Sequence, residues 1–329
     1  MNIAIIGCGL IGEKRANSLL SQHVVLCVDV VESKAESLAK KFPACQVSSK
    51  WEDAINDPKI ELIIIATLHH SLAEIALAAA QQGKHILIEK PGARNSAELK
   101  LIMEAAKKSG SLIHVGFNHR YHRALRKAKE LIDQNELGDL MFVRGRYGHG
   151  GRLGYEKEWR AQPALSGGGE LIDQGVHLID LARWFLGEFT HVQGHAHTYF
   201  WDMPVDDNGF LILKTAKQQT AFLHVSCTEW KNLFSFEIYG RQGKIDIHGL
   251  GGSYGLEKIT FYKMSPTMGP PETFSWEYPM LDNSWEVEMA EFLNDIKNHR
   301  QPKTNLHDAE SALKIVEEIY RISHYDYCT

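Results

Sequence analysis

Gly7-Cys8-Gly9-Leu10-Ile11-Gly12 follows directly on the short apolar run Asn2–Ile6 and opens a helical stretch that reaches about Leu20. Three glycines at this spacing, between a strand and a helix, restrict the fold more than any other feature of the chain. Gly7 permits a tight turn, Gly9 lets the backbone approach a pyrophosphate, and Gly12 allows close helix–strand packing. The helix start, with Leu10 and Ile11 in its first turn, offers free N–H groups and a positive dipole end to phosphates. A second apolar run, His23 to Asp29, ends in an acidic residue 17 positions after Gly12. Asp29 can accept hydrogen bonds from a ribose diol and would repel a 2′-phosphate. Val30 and Val31 supply no arginine to pair with one, so the pattern predicts NAD in preference to NADP.

The alternation continues to about residue 120. Ser33-Lys34-Ala35-Glu36 reads as a capping box opening a helix. Glu61 to Ala66 is a buried strand, Leu72 to Gln82 a helix closed by Gly83, and His85 to Ile88 a further strand. Asn95-Ser96-Ala97-Glu98 is a second capping box, opening a helix to about Ser109, and Leu112 to Gly116 is a last strand. This βα rhythm predicts a parallel, doubly wound sheet covered on both faces. The strand His85–Ile88 runs straight into Glu89-Lys90-Pro91. In open α/β sheets the carboxyl ends of strands open into the crevice where ligands sit. Pro91 stops the strand and fixes its own φ, which holds Lys90 on a stiff backbone.

With 329 residues the chain has room for two domains, 1–120 and 121–329. A net charge of -5 argues against a nucleic-acid partner. No apolar run is long enough to span a membrane, and Met1-Asn2-Ile3-Ala4 lacks the basic start of a signal peptide. The five cysteines, Cys8, Cys27, Cys45, Cys227 and Cys328, are scattered without C-x-x-C spacing, which suits reduced thiols in a cytoplasm.

The second half carries another constellation. Gly167-Gly168-Gly169 precedes an apolar stretch from Glu170 to Leu186 that predicts a mostly buried helix. Asp173, His177 and Asp180, spaced i, i+4, i+7, would share one face of it. Buried carboxylates and an imidazole on one stripe are either a satisfied structural network or a general base with its orienting acid. Strand-like runs occur at Leu140 to Arg146, Val192 to Phe200, Phe210 to Lys214, Thr220 to Thr228, Ser235 to Tyr239 and Lys244 to His248. Glu286 to Asn298 and Asp308 to Arg321 read as closing helices. His191, His195 and His197 lack a carboxylate partner and read as sheet-surface residues, so no metal is expected.

On these residues the chain resembles the Gfo/Idh/MocA family of NAD(P)-dependent oxidoreductases. The likeness is carried by Gly7 to Gly12, Glu89-Lys90-Pro91, Gly116-Phe117-Asn118-His119-Arg120-Tyr121, Trp159-Arg160, the triple glycine with Asp173, His177 and Asp180, and Ile238-Tyr239-Gly240 with Gly243. It implies an N-terminal Rossmann domain, then an α+β domain with a large open, mostly antiparallel sheet that makes homodimers or homotetramers; the closing helices can return to the first domain. It implies hydride transfer between nicotinamide and a hydroxyl or keto carbon of a sugar, nucleotide sugar or cyclitol, with a slight lean to a nucleotide sugar. Lys90, Asp173 and His177 are the implied catalytic set. Gly7, Gly9, Leu10, Ile11, Gly12, Asp29, Thr67, Glu89, Lys90 and Asn118 are implied at the cofactor, and Arg120, Tyr121, Trp159, Arg160, Asp173 and His177 toward substrate. Leu68, His69 and Leu72 depart from the family's proline, asparagine and histidine after Thr67, which weakens that contact. Two other functions fit the same family: an NAD-dependent glycosidase working by transient oxidation, and a non-catalytic ligand sensor.

Overall fold

The structure is a computed structural model that describes residues 1–19 and 21–325. Leu20, where the first helix was expected to end, and Cys328 lie outside the described residues. The chain divides into two compact units. The first holds residues 1–117, 164–167 and 285–314; the second holds 118–163, 168–284 and the chain from 315 on.

In the first unit six strands form one parallel sheet in the order β3-β2-β1-β4-β5-β6. They are β1 (Asn2–Ile6), β2 (His23–Val28), β3 (Gln46–Ser48), β4 (Leu62–Ile65), β5 (His85–Ile88) and β6 (Ile113–Val115). The order reverses at β1/β4, the switch point at which doubly wound sheets bind ligands. β4 reads Leu-Ile-Ile-Ile and every residue is buried, as expected of a strand covered on both faces. Asn95 caps the helix Ser96–Ser109 by accepting the Glu98 N–H at 2.9 Å, and Gly110 ends it in the left-handed region. The reciprocal half of that box is absent: the Glu98 carboxylate takes the Arg94 N–H at 3.0 Å instead. The box expected at Ser33 does not form, because the helix starts one residue earlier, at Glu32, behind Val31. The helix expected from Leu72 starts at His69. Strand β3 and the helix Glu52–Asn56 were not foreseen; they are too short to show a period. Met289, Phe292 and Ile296 of the helix Ser284–Lys297 complete the core around Ile3, Ile5, Leu62, Ile64 and Leu87.

The second unit is built on eight strands in the order β14-β13-β12-β11-β7-β10-β9-β8, antiparallel except for the parallel pair β7/β10. They are β7 (Leu140–Gly148), β8 (Phe189–His197), β9 (Asn208–Thr215), β10 (Thr220–Ser226), β11 (Leu233–Gly240), β12 (Gly243–His248), β13 (Glu257–Lys263) and β14 (Thr273–Tyr278). The hairpin β13/β14, spanning the irregular Pro266 to Pro271, and the helix Arg123–Asp133 are additions to the sequence reading. One sheet face, with Val143, Leu223, Phe236, Ile245 and Ile259, is buried under Arg123–Asp133 and the helix Val176–Leu186. The other face is open: Arg144 and Phe222 stand side by side on it, with Ile212 next to Phe222. Among the described residues no helix is long and apolar enough to cross a membrane.

Candidate active site

The glycine turn of the first unit is built as a cradle. Gly7 has φ +93°, and a Cβ there would stand 2.5 Å from the Ala66 carbonyl oxygen. A Cβ on Gly12 would lie 1.9 Å from the Gly7 carbonyl oxygen, so helix and turn can close only without side chains. A Cβ on Gly9 would meet nothing within 4 Å, which leaves open space for a ligand above the backbone. Asp29 is lashed to this turn: its carboxylate accepts the Cys8 N–H at 2.8 Å and the Val31 N–H at 2.9 Å. A half-exposed carboxylate beside a bare N-terminal turn fits the ribose and pyrophosphate of a dinucleotide. Thr67 is half-buried and its hydroxyl donates to Leu68 O at 3.3 Å. The departures beside it are packing residues: His69 is buried on the Ser166 carbonyl at 2.8 Å, and Leu72 is fully buried.

Glu89 is the surprise of this half. Its carboxylate meets Arg15 Nε and Nη2 at 2.6 Å each, and Arg15 also binds Glu288. His114 Nε2 holds the other Glu288 oxygen at 3.1 Å. Arg15 is completely buried and lies under the Trp285 ring at 4.4 Å. A Cβ on Gly116 would stand 2.5 Å from Arg15 Nη2, which explains that glycine. Burial pushes the Glu89 carboxyl up, against the pull of Arg15. Glu89, expected at the cofactor, has its carboxylate in this buried ion pair; Lys90 beside it is half-buried and joined to Pro91 by a cis peptide.

In the second unit the triple glycine feeds a π-turn, Leu171–Gly175, succeeded by the helix Val176–Leu186. Asp206 clamps its entry, accepting the Gly169 N–H at 2.9 Å, the Leu171 N–H at 2.8 Å and the Tyr320 hydroxyl at 2.7 Å. A Cβ on Gly168 would lie 2.4 Å from the Tyr320 oxygen, and one on Gly169 2.0 Å from the Asp206 carbonyl oxygen. Burial lifts the Asp206 carboxyl to about 6 despite those donors.

The expected single stripe is three separate contacts. Asp173 takes Arg160 Nε at 2.8 Å, and the negative charge of Asp173 raises the Arg160 guanidinium further above its usual range. His177 stacks on His119 with ring centroids 3.8 Å apart, and His119 meets the Tyr147 ring edge-on at 5.0 Å. Asp180 is bound by Arg120 through two nitrogens, at 2.7 and 2.5 Å. Arg120, expected toward substrate, is held in that buried pair. Arg160 lies over Trp159 at 4.5 Å, Tyr121 is buried, and Asn118 donates to Ser284 Oγ at 3.0 Å.

Sequence reasoning passed over Glu170, His149, Tyr147, Tyr155 and Tyr254. Glu170 is buried, and among the described residues neither carboxylate oxygen receives a hydrogen bond. His149 Nε2 stands 3.5 Å away, and its Nδ1 accepts the Gly151 N–H at 3.0 Å. Burial is the largest single influence on His149 and lowers its basicity, but its interactions with Glu170, together with the Asp173 charge, outweigh it and the net shift is upward. The charges of Glu170 and Asp173 both act on Tyr147, Tyr155 and Tyr254. One signal was available for Glu170, a lone charge inside an apolar run. The tyrosines come from distant segments and carry none.

Two family models cover this chain. "Oxidoreductase family, NAD-binding Rossmann fold" matches residues 1–117, and "GFO/IDH/MocA C-terminal domain" matches 125–246. Levoglucosan dehydrogenase of Pseudarthrobacter phenanthrenivorans is 34% identical over 233 residues, 66% of this chain; the match spans only 59% of that relative's length. The scyllo-inositol 2-dehydrogenase (NADP(+)) IolW of Bacillus subtilis is 24% identical, over 96% of this chain and 92% of its own. A solved levoglucosan dehydrogenase in complex with NADH and levoglucosan superposes with a TM-score of 0.88 at 25% identity, covering 98% of both chains. By these matches the chain belongs to the Gfo/Idh/MocA family of oxidoreductases.

Proposed function

We propose that this chain is an NAD-dependent oxidoreductase moving a hydride between nicotinamide and a hydroxyl-bearing carbon of an uncharged sugar or cyclitol. The observation that carries the reading is the glycine cradle with Asp29 lashed across it, in a chain that also builds a carboxylate and an imidazole into one continuous helical segment. Gly7, Gly9, Leu10, Ile11 and Gly12 would hold the pyrophosphate and Asp29 the adenosine ribose. NAD supplies the hydride acceptor when bound. Asp29 supports NAD over NADP, because a 2′-phosphate beside it would meet like charge.

His177 is the proposed base. Stacking on His119 holds its ring plane, so the imidazole is oriented before it takes the hydroxyl proton. Lys90, at the carboxyl end of β5, is proposed as a second catalytic residue, its ammonium suited to steadying negative charge on an oxygen. Asp173, paired with Arg160, accepts a hydrogen bond from a neighbouring substrate hydroxyl. Two carboxylates, Asp173 and Glu170, in the same shell favour neutral polyols over a nucleotide sugar, whose diphosphate they would repel. The names of the relatives, levoglucosan and inositol dehydrogenases, support the same substrate class. The open face of the second sheet, with exposed Ile212 and Phe222, supports a homodimer or homotetramer, to be read by light scattering.

The test is NADH formation across anhydrosugars, inositols, hexoses and nucleotide sugars. Lys90→Ala and His177→Ala should each keep NADH affinity and lose roughly 10²–10⁴ in kcat. Near-wild-type turnover in both variants sinks the assignment. Glycoside cleavage with no net NADH would point to the glycosidase reading, and NADH binding without turnover of any polyol to the sensor.

A further inference from the structure

Three of the described cysteines converge on one end of β2. Cys27 is fully buried in that strand, and Cys45 stands just before the edge strand β3. Their sulfurs are 3.7 Å apart, with the Cys45 thiol donating to Cys27 Sγ. The Cys8 thiol, in the glycine turn, donates instead to Val28 O at 3.3 Å. Cys45 is partly exposed, whereas Cys8 and Cys27 are buried, so solvent reaches the group through Cys45. The backbone fixes this placement. β2 and β3 pair in parallel with Leu26 opposite Gln46 and Cys27 opposite Val47, which brings Cys45 alongside the strand. Ala44, immediately before it, has φ +56°, a left-handed conformation costly for a residue with a Cβ.

We propose that Cys27 and Cys45 are a reversible disulfide site that reacts with hydroperoxides. A disulfide needs sulfurs ~2.05 Å apart, and facing thiols at 3.7 Å reach that by a small side-chain movement. Cys45 attacks first as its thiolate. The peroxide O–O bond breaks, Cys45 becomes a sulfenic acid, and the other oxygen leaves as an alcohol, or as water when the oxidant is hydrogen peroxide. The Cys27 sulfur then attacks the Cys45 sulfur; the S–S bond forms, and the sulfenic hydroxyl leaves as water with the Cys27 thiol proton. Two thiols are oxidised by two electrons in all, and one peroxide is reduced. The hydrogen bond to Cys27 and burial hold the Cys45 thiol well above its ordinary range, so its thiolate is scarce at neutral pH and the oxidation should be slow there and quicken as pH rises.

The test uses the folded full-length chain, reduced and then treated with hydrogen peroxide. Thiols are counted after denaturation, and peptides are mapped without reductant. The expected result is a fall from five thiols to three, one linked peptide pair containing Cys27 and Cys45, and full recovery with dithiothreitol. The melting temperature should rise on oxidation, because the cross-link shortens the unfolded chain's freedom over the intervening loop. Cys45→Ser should lose both the linkage and that rise. Cys27→Ser should leave Cys45 as a sulfenic acid trapped by dimedone. Circular dichroism checks that each variant is folded. A linkage to Cys8 instead, a linkage between chains, or five intact thiols after exposure that oxidises glutathione overturns the proposal.

Discussion

Replacing Arg15 with methionine tests how the Lys90 turn is held. The guanidinium sits between Glu89 and Glu288 with no exposed surface. Methionine keeps the buried stem and removes the charge. Glu288 retains His114, but Glu89 loses its guanidinium and faces a second carboxylate across the vacated space. The chain must then bury two facing carboxylates without the guanidinium between them or protonate one of them. Holding one glutamate neutral at pH 7 against a usual value near 4.3 costs ~3.7 kcal/mol, within the ~3–5 kcal/mol measured when one partner of a buried pair is removed.

The pH dependence has a definite sign. The variant's folded carboxyl has a raised value, so its penalty is absent below the unfolded value and grows as pH rises. Between pH 7 and pH 5 it should shrink by ~1.4 kcal/mol per unit. The assay is urea unfolding monitored by circular dichroism at both pH values. At a slope of ~2 kcal/mol/M, the midpoint should fall by roughly 1.5–2.5 M at pH 7 and by about 0.5 M at pH 5. Adding Glu89→Gln and Glu288→Gln to Arg15→Met should restore most of the loss, since neutral groups need no counter-charge. A variant within ~1 kcal/mol of wild type at pH 7, or a loss independent of pH, refutes the reasoning.

Other outcomes rest on single contacts. Gly12→Ala places a methyl 1.9 Å from the Gly7 carbonyl oxygen, so NADH affinity measured by fluorescence titration should fall by more than about tenfold. Asp29→Ser removes the charge opposed to a 2′-phosphate; the ratio of kcat/KM for NAD over NADP should drop at least about tenfold in parallel assays with both cofactors. Asp206 has a folded value of about 6 against 3.8 for the free side chain, so the folded state holds its proton longer. Stability should therefore decline by ~3 kcal/mol as pH rises from about 4 to 6, and Asp206→Asn should flatten that part of the thermal-melt profile.

What the sequence revealed depended on whether the cause was local. The glycine turn, β5 running into Lys90, and the Asn95 cap are decided by neighbouring residues, and each stands where it was read. The Arg15–Glu89–Glu288 group was hidden, because its members lie far apart in the chain and an arginine inside a helix reads as surface. Strand β14 was missed although Thr273 to Tyr278 alternates polar and aromatic residues, because it directly follows the Pro266 to Pro271 stretch that reads as irregular. Glu98 was misassigned a partner because Arg94 competes for it with both a backbone N–H and a guanidinium. The tyrosine shell around Glu170 is assembled from β7 and two loops, so only the fold brings it together.

A π-turn interrupts the spacing from which the second half-site was read. An α-helix advances about 100° per residue, so Asp173, His177 and Asp180 would fall on one stripe. A π-turn carries one more residue per turn and so rotates the residues on its N-terminal side against those on its C-terminal side. Asp173 lies inside that turn, while His177 and Asp180 lie beyond it. The rotation lets one continuous helical segment send Asp173 to Arg160, His177 to His119 and Asp180 to Arg120. Without it, two buried carboxylates would crowd the imidazole on a single face, and their charge would have to be desolvated together. Asp180 is thus held by Arg120 in a buried ion pair, while Asp173 meets Arg160 and His177 stacks on His119.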